Sequence, residues 1–179
     1  MQKKLLAALL GAALVLPVAA HAEGSYFKVG VGESEYDFDS FKENKTAVSL
    51  AYGFAVDKNF GVELGYLNFG KQRWAIPDYS ASIENQSVYL AGVGSVPLTD
   101  AFSVYGKLGV ALNHTKGAYS TPDESGSGSE TKTRPLVGFG LSYNFTKDIA
   151  GTLEYHYVGK IPDTDVKMSM ATVGIKYGF

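Results

Sequence analysis

Few side chains in this sequence could carry chemistry by themselves. The chain has 179 residues and no cysteine, so disulfide bridges, thiol catalysis and cysteine-ligated metal sites are excluded. His114, with Asp123, Glu124 or Ser125, is the one group whose residue types could form a hydrolytic site. No spacing rule singles this group out. We therefore expect no catalytic site, no cofactor and no metal.

Acids and bases embedded in strand-like sequence are the more informative set. They lie in stretches where small and bulky residues alternate, a pattern typical of β-strands. Such charges can pair only if the strands bring them to one side of a sheet. The predicted polar network consists of Lys28, Glu63, Tyr105, Lys107, Glu154 and His156. We expect Lys176 to face the same way.

The alternation recurs eight times and predicts eight strands. Short turns and long polar connections follow one another, as in an up-and-down barrel whose two ends differ. The longest connection contains Ser125-Gly126-Ser127-Gly128-Ser129, which we expect to be flexible. The predicted strands are 25–33, 45–54, 60–69, 86–96, 102–113, 135–145, 149–159 and 167–179. The sequence thus predicts an all-β, eight-stranded antiparallel barrel.

The volume of an eight-stranded barrel decides which face points inward. Its interior is just wide enough to be filled by side chains, and four or five bulky groups from each strand would overfill it. The bulky apolar face must therefore point outward, where only lipid could cover it. A Lys at the bilayer midplane facing lipid would cost about 2–4 kcal/mol, which also favours charges in the lumen. The sequence predicts a transmembrane barrel with an outward aromatic girdle at Phe60, Phe102, Phe145, Tyr177 and Phe179.

The N-terminus has the organisation of a cleavable signal peptide. Lys3 and Lys4 precede an apolar run from Leu5 to Ala20, and Ala20-His21-Ala22 offers small residues for cleavage after Ala22. The predicted organisation is a signal peptide over 1–22 and one barrel domain over 23–179. With 16 basic and 18 acidic residues, the chain has no basic excess, and we expect no nucleic-acid partner.

Several motifs resemble those of a known membrane family. The last strand ends with Val173, Ile175, Tyr177 and Phe179 on alternate positions, which resembles the C-terminal signature of bacterial outer-membrane barrels. The segments FGVELGY (60–66), PLTD (97–100), YGKLG (105–109) and LEY (153–155) look like those of the OmpA transmembrane domain. The resemblance implies insertion by the barrel assembly machinery into a Gram-negative outer membrane. It also implies contact with lipid and lipopolysaccharide, periplasmic termini and extracellular long loops.

The chain also departs from the OmpA pattern. The sequence ends at Phe179, so we expect no periplasmic peptidoglycan-binding domain and a closer likeness to small OmpX-like barrels. The family barrel carries four interior charges that act as a gate, and only Glu63 matches one of them. Val93, Ser142 and Thr152 stand at the other three positions, and we expect no charge-swapping gate. The resemblance further implies that Tyr89, Ala91, Val93 and Ser95 face inward.

Three functions are compatible with these features. The first is a structural or surface-interaction barrel, a monomer whose extracellular loops contact a host or phage surface ligand. The second is a narrow porin-like ion channel, and the third is a rim enzyme that modifies lipid. In the second long loop, Trp74 and Tyr79 are either contact anchors or members of the girdle.

Overall fold

The computed structural model describes residues 24–38, 41–160 and 167–179, which form eight β-strands. The strands are β1 (Ser25–Phe38), β2 (Phe41–Ala55), β3 (Phe60–Ile76), β4 (Tyr79–Pro97), β5 (Phe102–Ser120), β6 (Ser125–Asn144), β7 (Ile149–Lys160) and β8 (Lys167–Gly178). Each strand pairs antiparallel with its neighbour in sequence, and β8 pairs with β1 to close the barrel. The predicted eight-stranded antiparallel barrel is confirmed.

The predicted signal peptide, residues 1–22, lies outside the described residues and remains a prediction. Over 24–38, 41–160 and 167–179, no helix is long and apolar enough to cross a bilayer.

The two faces of the barrel wall differ as the volume constraint requires. Large apolar side chains point outward, with Leu108 70% and Phe139 62% exposed. Charged side chains point into the lumen, where Glu63 is 0% and Lys107 2% exposed. Tyr89 and Ala91 of β4 are buried as well, and Val93 and Ser95 share their face. The prediction of an apolar outer face and a charged interior is therefore correct.

At one end of the barrel the strands are joined by three short turns, and the described termini lie there as well. In the β2–β3 turn, the Asp57 carboxylate accepts hydrogen bonds from the backbone N–H groups of Asn59 and Phe60, at 2.7 and 2.8 Å. These bonds stabilise the charged form and hold the pKa of Asp57 below its ordinary value. The turn is therefore best formed at neutral pH and weakens as the pH falls through the carboxylate pKa.

At the other end, three strand pairs extend far beyond their predicted limits. The predicted loops 34–44, 70–85 and 114–134 are wrong for most of their length, because their residues continue the pairs β1–β2, β3–β4 and β5–β6. The stretch 125–129, expected to be flexible, is paired with residues 116–120 of β5. Hairpin pairing satisfies the backbone hydrogen bonds there, so low side-chain complexity does not prevent strand formation. Residues 161–166 of the fourth predicted loop are outside the described part.

Gly70 marks the point where β3 separates from β2. The β2–β3 pairing runs from Ala55 and Gly61 to Val48 and Asn68, and the β3–β4 register shifts between Asn68 and Lys71. Gly70 has a φ of 76°, and a Cβ at this position would lie 2.7 Å from the Thr46 carbonyl oxygen. A glycine is required for both reasons. This bulge directs the outer part of β3 into a sheet with β4, β5 and β6.

The barrel closes at its short-turn end through an aromatic cluster around the C-terminus. The ring of Phe179 lies 5.8 Å from that of Phe27 on β1 and 6.5 Å from that of Tyr52 on β2. The Phe179 backbone N–H donates a 3.0 Å hydrogen bond to the Ser25 carbonyl oxygen. Val173, Ile175 and Tyr177 lie on the same outward face of β8. The C-terminal aromatic residue thus holds the β8–β1 seam together.

Replacing Phe179 by Leu should weaken the seam. The F179L variant keeps an apolar group but loses the ring contacts with Phe27 and Tyr52, worth about 1 kcal/mol beyond area burial. F60L is the matched control, an outward aromatic at the same end outside this cluster. Urea unfolding in phospholipid vesicles, followed by heat-modifiable gel mobility, measures both variants. Equal losses of unfolding free energy would contradict a special role for the cluster.

Candidate functional site

Four charged side chains meet in the lumen and form a closed set of ion pairs, termed here the charged ring. Lys28 Nζ lies 2.8 Å from Glu63 Oε2 and 2.7 Å from Glu154 Oε1. Lys107 Nζ lies 2.5 Å from Glu63 Oε1 and 2.6 Å from Glu154 Oε1. Each ammonium group bridges both carboxylates, so the two positive and two negative charges balance.

Three tyrosine hydroxyl groups complete the surroundings of the two carboxylates. Tyr26 and Tyr89 donate hydrogen bonds of 2.8 and 2.5 Å to Glu63, and Tyr105 donates one of 2.8 Å to Glu154. These donors matter because a buried carboxylate needs all of its hydrogen bonds to offset desolvation. Tyr105 lies where the sequence placed it, whereas Tyr26 was missed although it has the same strand parity as Lys28. Lys176 faces the same region, 5.5 Å from the centre of the Tyr26 ring.

His156 is buried beside the charged ring without joining it by a hydrogen bond. Its Nε2 lies 3.6 Å from Glu154 Oε2, beyond hydrogen-bond distance. Neither ring nitrogen has a hydrogen-bond partner among the described residues. His156 lies in the lumen next to Glu154, where the sequence placed it, and its part in the polar network remains a prediction.

The interior positions that resemble the family gate hold no charge in this chain. Ser142 and Thr152 are buried, Val93 is half-buried, and none of them contributes to the charged ring. Glu63 instead finds its counter-charges on β1 and β5. The set of partners thus differs from the one that the family pattern implies.

An apolar layer that the sequence did not predict lies in the lumen, on the far side of the charged ring from the short turns. Leu67 and Phe69 follow Glu63 on the inward face of β3, and Val158 follows Glu154 on β7. Strand parity alone could have found them. The expectation that bulky apolar side chains point outward is therefore wrong for these three residues, which lie in the half of the lumen nearest the long hairpins.

Beyond the apolar layer, β3–β6 continue as a four-stranded sheet that projects from the barrel, termed here the protruding sheet. Near the hairpin tips, its face toward the barrel axis carries Trp74, Ala81, Ile83 and Tyr119. Closer to the barrel the same face is polar and carries Gln72, Glu130, Lys132 and Arg134. The opposite face carries Lys71, Arg73 and Lys116. These charges on the outward face mark where the lipid-facing band ends.

The axis-facing side of the protruding sheet contains an open groove of about 550 Å³ near the hairpin tips. Trp74, Ile83 and Tyr119 line it, and Gly117 and Gly128 form an open floor. Trp74 and Tyr79 therefore lie in strands of a hairpin and not in a loop. Their face is not the lipid-facing one, so the girdle alternative is wrong for both.

The structure separates the residues of the candidate hydrolytic site. His114 Nδ1 lies 2.8 Å from Thr131 Oγ1 on the neighbouring strand. Asp123, Glu124 and Ser125 are at the hairpin tip, six strand positions from His114, or about 20 Å at 3.3 Å per residue. These groups cannot act on one substrate. Within the described residues, no cluster of three or more potential metal ligands occurs either.

A closed barrel with an apolar outer face, a charged interior and an aromatic girdle defines a transmembrane β-barrel protein. Residues 20–179 match the family described as "OmpA-like transmembrane domain". This chain belongs to that family, and it is a small outer-membrane β-barrel protein.

The curated relatives are outer membrane proteins A of enteric bacteria. The protein from Yersinia pseudotuberculosis is 28% identical, with 96% of this chain and 53% of the relative covered. That from Klebsiella pneumoniae is 30% identical over 71% of this chain and 39% of the relative. The chain spans about half the length, or less, of these relatives.

Solved structures agree with the fold. Ail, the attachment invasion locus protein of Yersinia pestis, has a TM-score of 0.65 and 24% identity, with 88% of this chain and 99% of Ail covered. Neisserial surface protein A has a TM-score of 0.65 and 14% identity, with 87% and 97% covered. Ail has also been solved in complex with the heparin analogue sucrose octasulfate. At these identities the likeness concerns the barrel architecture alone.

Neutralising one member of the charged ring should destabilise the barrel strongly. Glu63→Gln leaves the lumen with an uncompensated positive charge, and loss of one partner from a buried pair costs about 3–5 kcal/mol. Glu130→Gln is the matched control, because Glu130 forms a surface pair with Lys132 and its side chain is 62% exposed. That pair should contribute no more than about 1 kcal/mol.

A double variant separates charge balance from simple loss of contacts. Glu63→Gln combined with Lys107→Met removes one charge of each sign and leaves the Lys28–Glu154 pair in place. The loss of unfolding free energy in the double variant should be smaller than the sum of the two single losses. Additive losses in urea unfolding would show that charge balance does not govern the ring.

Proposed function

We propose that this protein is a surface-interaction barrel that binds an extended polypeptide through its protruding sheet. The spanning barrel then acts as a rigid anchor that holds the sheet beyond the membrane. The observation that carries the proposal is the sheet itself, which continues four strands past the lipid-facing band. We further propose that the sheet is extracellular and that the termini and short turns are periplasmic.

The outer edge of β6 supports strand addition as the mode of contact. The β6–β7 pairing runs from Leu136 to Asn144, whereas the β5–β6 pairing continues to Ser120 and Ser125. Over 24–38, 41–160 and 167–179, no strand pairs with residues 125–131 on the side away from β5. An edge of this kind offers backbone donors and acceptors to an extended segment.

The composition of this edge suits a polypeptide better than a polyanion. Residues 125–134 contain no proline, a residue that would block pairing. Over 70–85 and 114–134, the five basic residues are balanced by five acidic ones. A sulfated polysaccharide needs a positive excess, so the ligand seen with Ail does not transfer on charge grounds. The groove beside Trp74 and Tyr119 would receive side chains of the added strand.

We also propose that the protein contacts lipopolysaccharide and is inserted by the barrel assembly machinery. Lys71, Arg73 and Lys116 lie on the lipid side of the sheet just beyond the apolar band, where lipopolysaccharide phosphates would meet them. The alternating C-terminal residues 173–179 would be read by the barrel assembly machinery. We propose a monomer, because the lipid-facing surface is uniformly apolar and the barrel has no free edge within the spanning part.

Shortening the β5–β6 hairpin tests the proposal. Lys116 and Ser129 are register partners, so residues 117–128 can be replaced by an Asn-Gly turn. The shortened barrel should still show heat-modifiable gel mobility, since its spanning part is untouched. Cells that display the shortened protein should adhere at least about tenfold less to plates coated with extracellular-matrix proteins, because the edge for strand addition is gone.

The variant S127T/S129T serves as the control, because it keeps the edge and its strand propensity. It should adhere as the unmodified protein does. Plates coated with heparin provide the competing ligand. Adhesion to heparin alone, or adhesion that survives removal of the hairpin, would overturn strand addition as the mode of contact.

A further inference from the structure

The lumen changes from charged to apolar within one layer of side chains above the charged ring. Tyr89 spans the boundary, since its hydroxyl group bonds to Glu63 while its ring packs into the apolar cluster. Leu67, Phe69 and Leu136 lie beyond it, and none is more than 1% exposed. We term the following residues the apolar layer: Ala47, Leu67, Phe69, Ala111, Leu136, Val158, Met168 and Met170.

The apolar layer extends across the lumen. It draws side chains from β2, β3, β5, β6, β7 and β8, and Ala91 of β4 belongs to the same cluster. On β1 the buried residue at this level is Ser34. Its hydroxyl group lies 2.6 Å from the Phe69 carbonyl oxygen and 3.3 Å from that of Lys45. The hydroxyl is thus satisfied by the wall. Three further polar residues, Ser87, Asn113 and Arg134, are buried at the same level, and the Asn113 amide lies 3.8 Å from Met168 Sδ.

Water can reach the charged ring from one side. Tyr26, Tyr105 and Lys176 lie toward the short-turn end and are partly exposed. Tyr89 and His156, which border the apolar layer, are buried. The ring therefore faces solvent at the end of the short turns and a dry layer at the end of the protruding sheet.

We propose that the apolar layer, and not the charged ring, seals the lumen, and that the ring is hydrated from the short-turn end alone. The side chains of the layer are at most 1% exposed and leave no water-filled path, and the buried polar groups among them are too few to replace the hydration shell of an ion. The charges of the ring can exchange partners without opening a path, since the layer above them stays dry. The protein accordingly conducts no ions, and neutralising the ring does not change this.

Planar-bilayer recording tests which layer forms the barrier. The variant M168S/M170S places two small polar side chains in the apolar layer and should raise the mean current by about tenfold or more over the unmodified protein. V173S is the matched control, because Val173 lies on the same strand and faces lipid. The unmodified protein, V173S and E63Q/K107M should all remain silent. Conductance in E63Q/K107M, or in the unmodified protein, would overturn the proposal, as would silence in a folded M168S/M170S.

Thiol labelling provides a second measurement that does not depend on a destabilised variant. The chain has no cysteine, so single cysteines can be introduced at Thr115, beyond the apolar layer, and at the half-buried Ser103, on its short-turn side. A charged, membrane-impermeant thiol reagent is added to either side of protein-containing vesicles. T115C should react from one side and S103C from the opposite side. Labelling of S103C from the side that labels T115C would show that the lumen is open.

Discussion

Backbone hydrogen bonding in a lipid environment is the constraint on which this structure depends. A membrane-spanning strand has no water to satisfy its amide groups, so every strand needs two neighbours and the sheet must close. Pairing of β1 with β8 provides that closure, and the Phe179 ring strengthens the seam by contacting Phe27 and Tyr52. Closure by eight strands leaves a lumen that side chains fill. The outer face is left to lipid.

A filled lumen makes each interior charge dependent on its neighbours. Lys28 and Lys107 each contact both carboxylates, so no member can be removed without leaving its partners buried and unbalanced. The apolar layer adjoining the ring adds close packing. Together, the charged ring and the apolar layer fill the lumen of the spanning part with buried side chains.

The need of each strand for two hydrogen-bonded neighbours ends where the membrane ends. Beyond Gly70 the backbone of β3 no longer needs a partner on both sides, because water can satisfy it. The hairpins can therefore leave the cylinder and continue as the protruding sheet. The family relationship establishes the barrel, whereas the protruding sheet is where members of such a family can differ in what they contact.

Much of the barrel was predictable because period-two alternation depends on adjacent residues. Strand number, the inward direction of Lys28, Glu63 and Lys107, and the girdle all follow from parity and from the volume of an eight-stranded barrel. Strand ends were not predictable from the same pattern. Residues 125–129 read as a linker, yet they pair with β5, because pairing is a property of two strands and not of one.

The sequence by itself determined that strands alternate, how many there are and which face meets lipid, since these depend on side-chain period and on volume. Only the tertiary structure decided which charges meet, which groups surround His156, and that buried apolar side chains gather beside the charged ring. Those features depend on the register and tilt of strands that are distant in sequence. Strand parity specifies the side on which a residue lies, but not the level within the barrel at which it meets its partners.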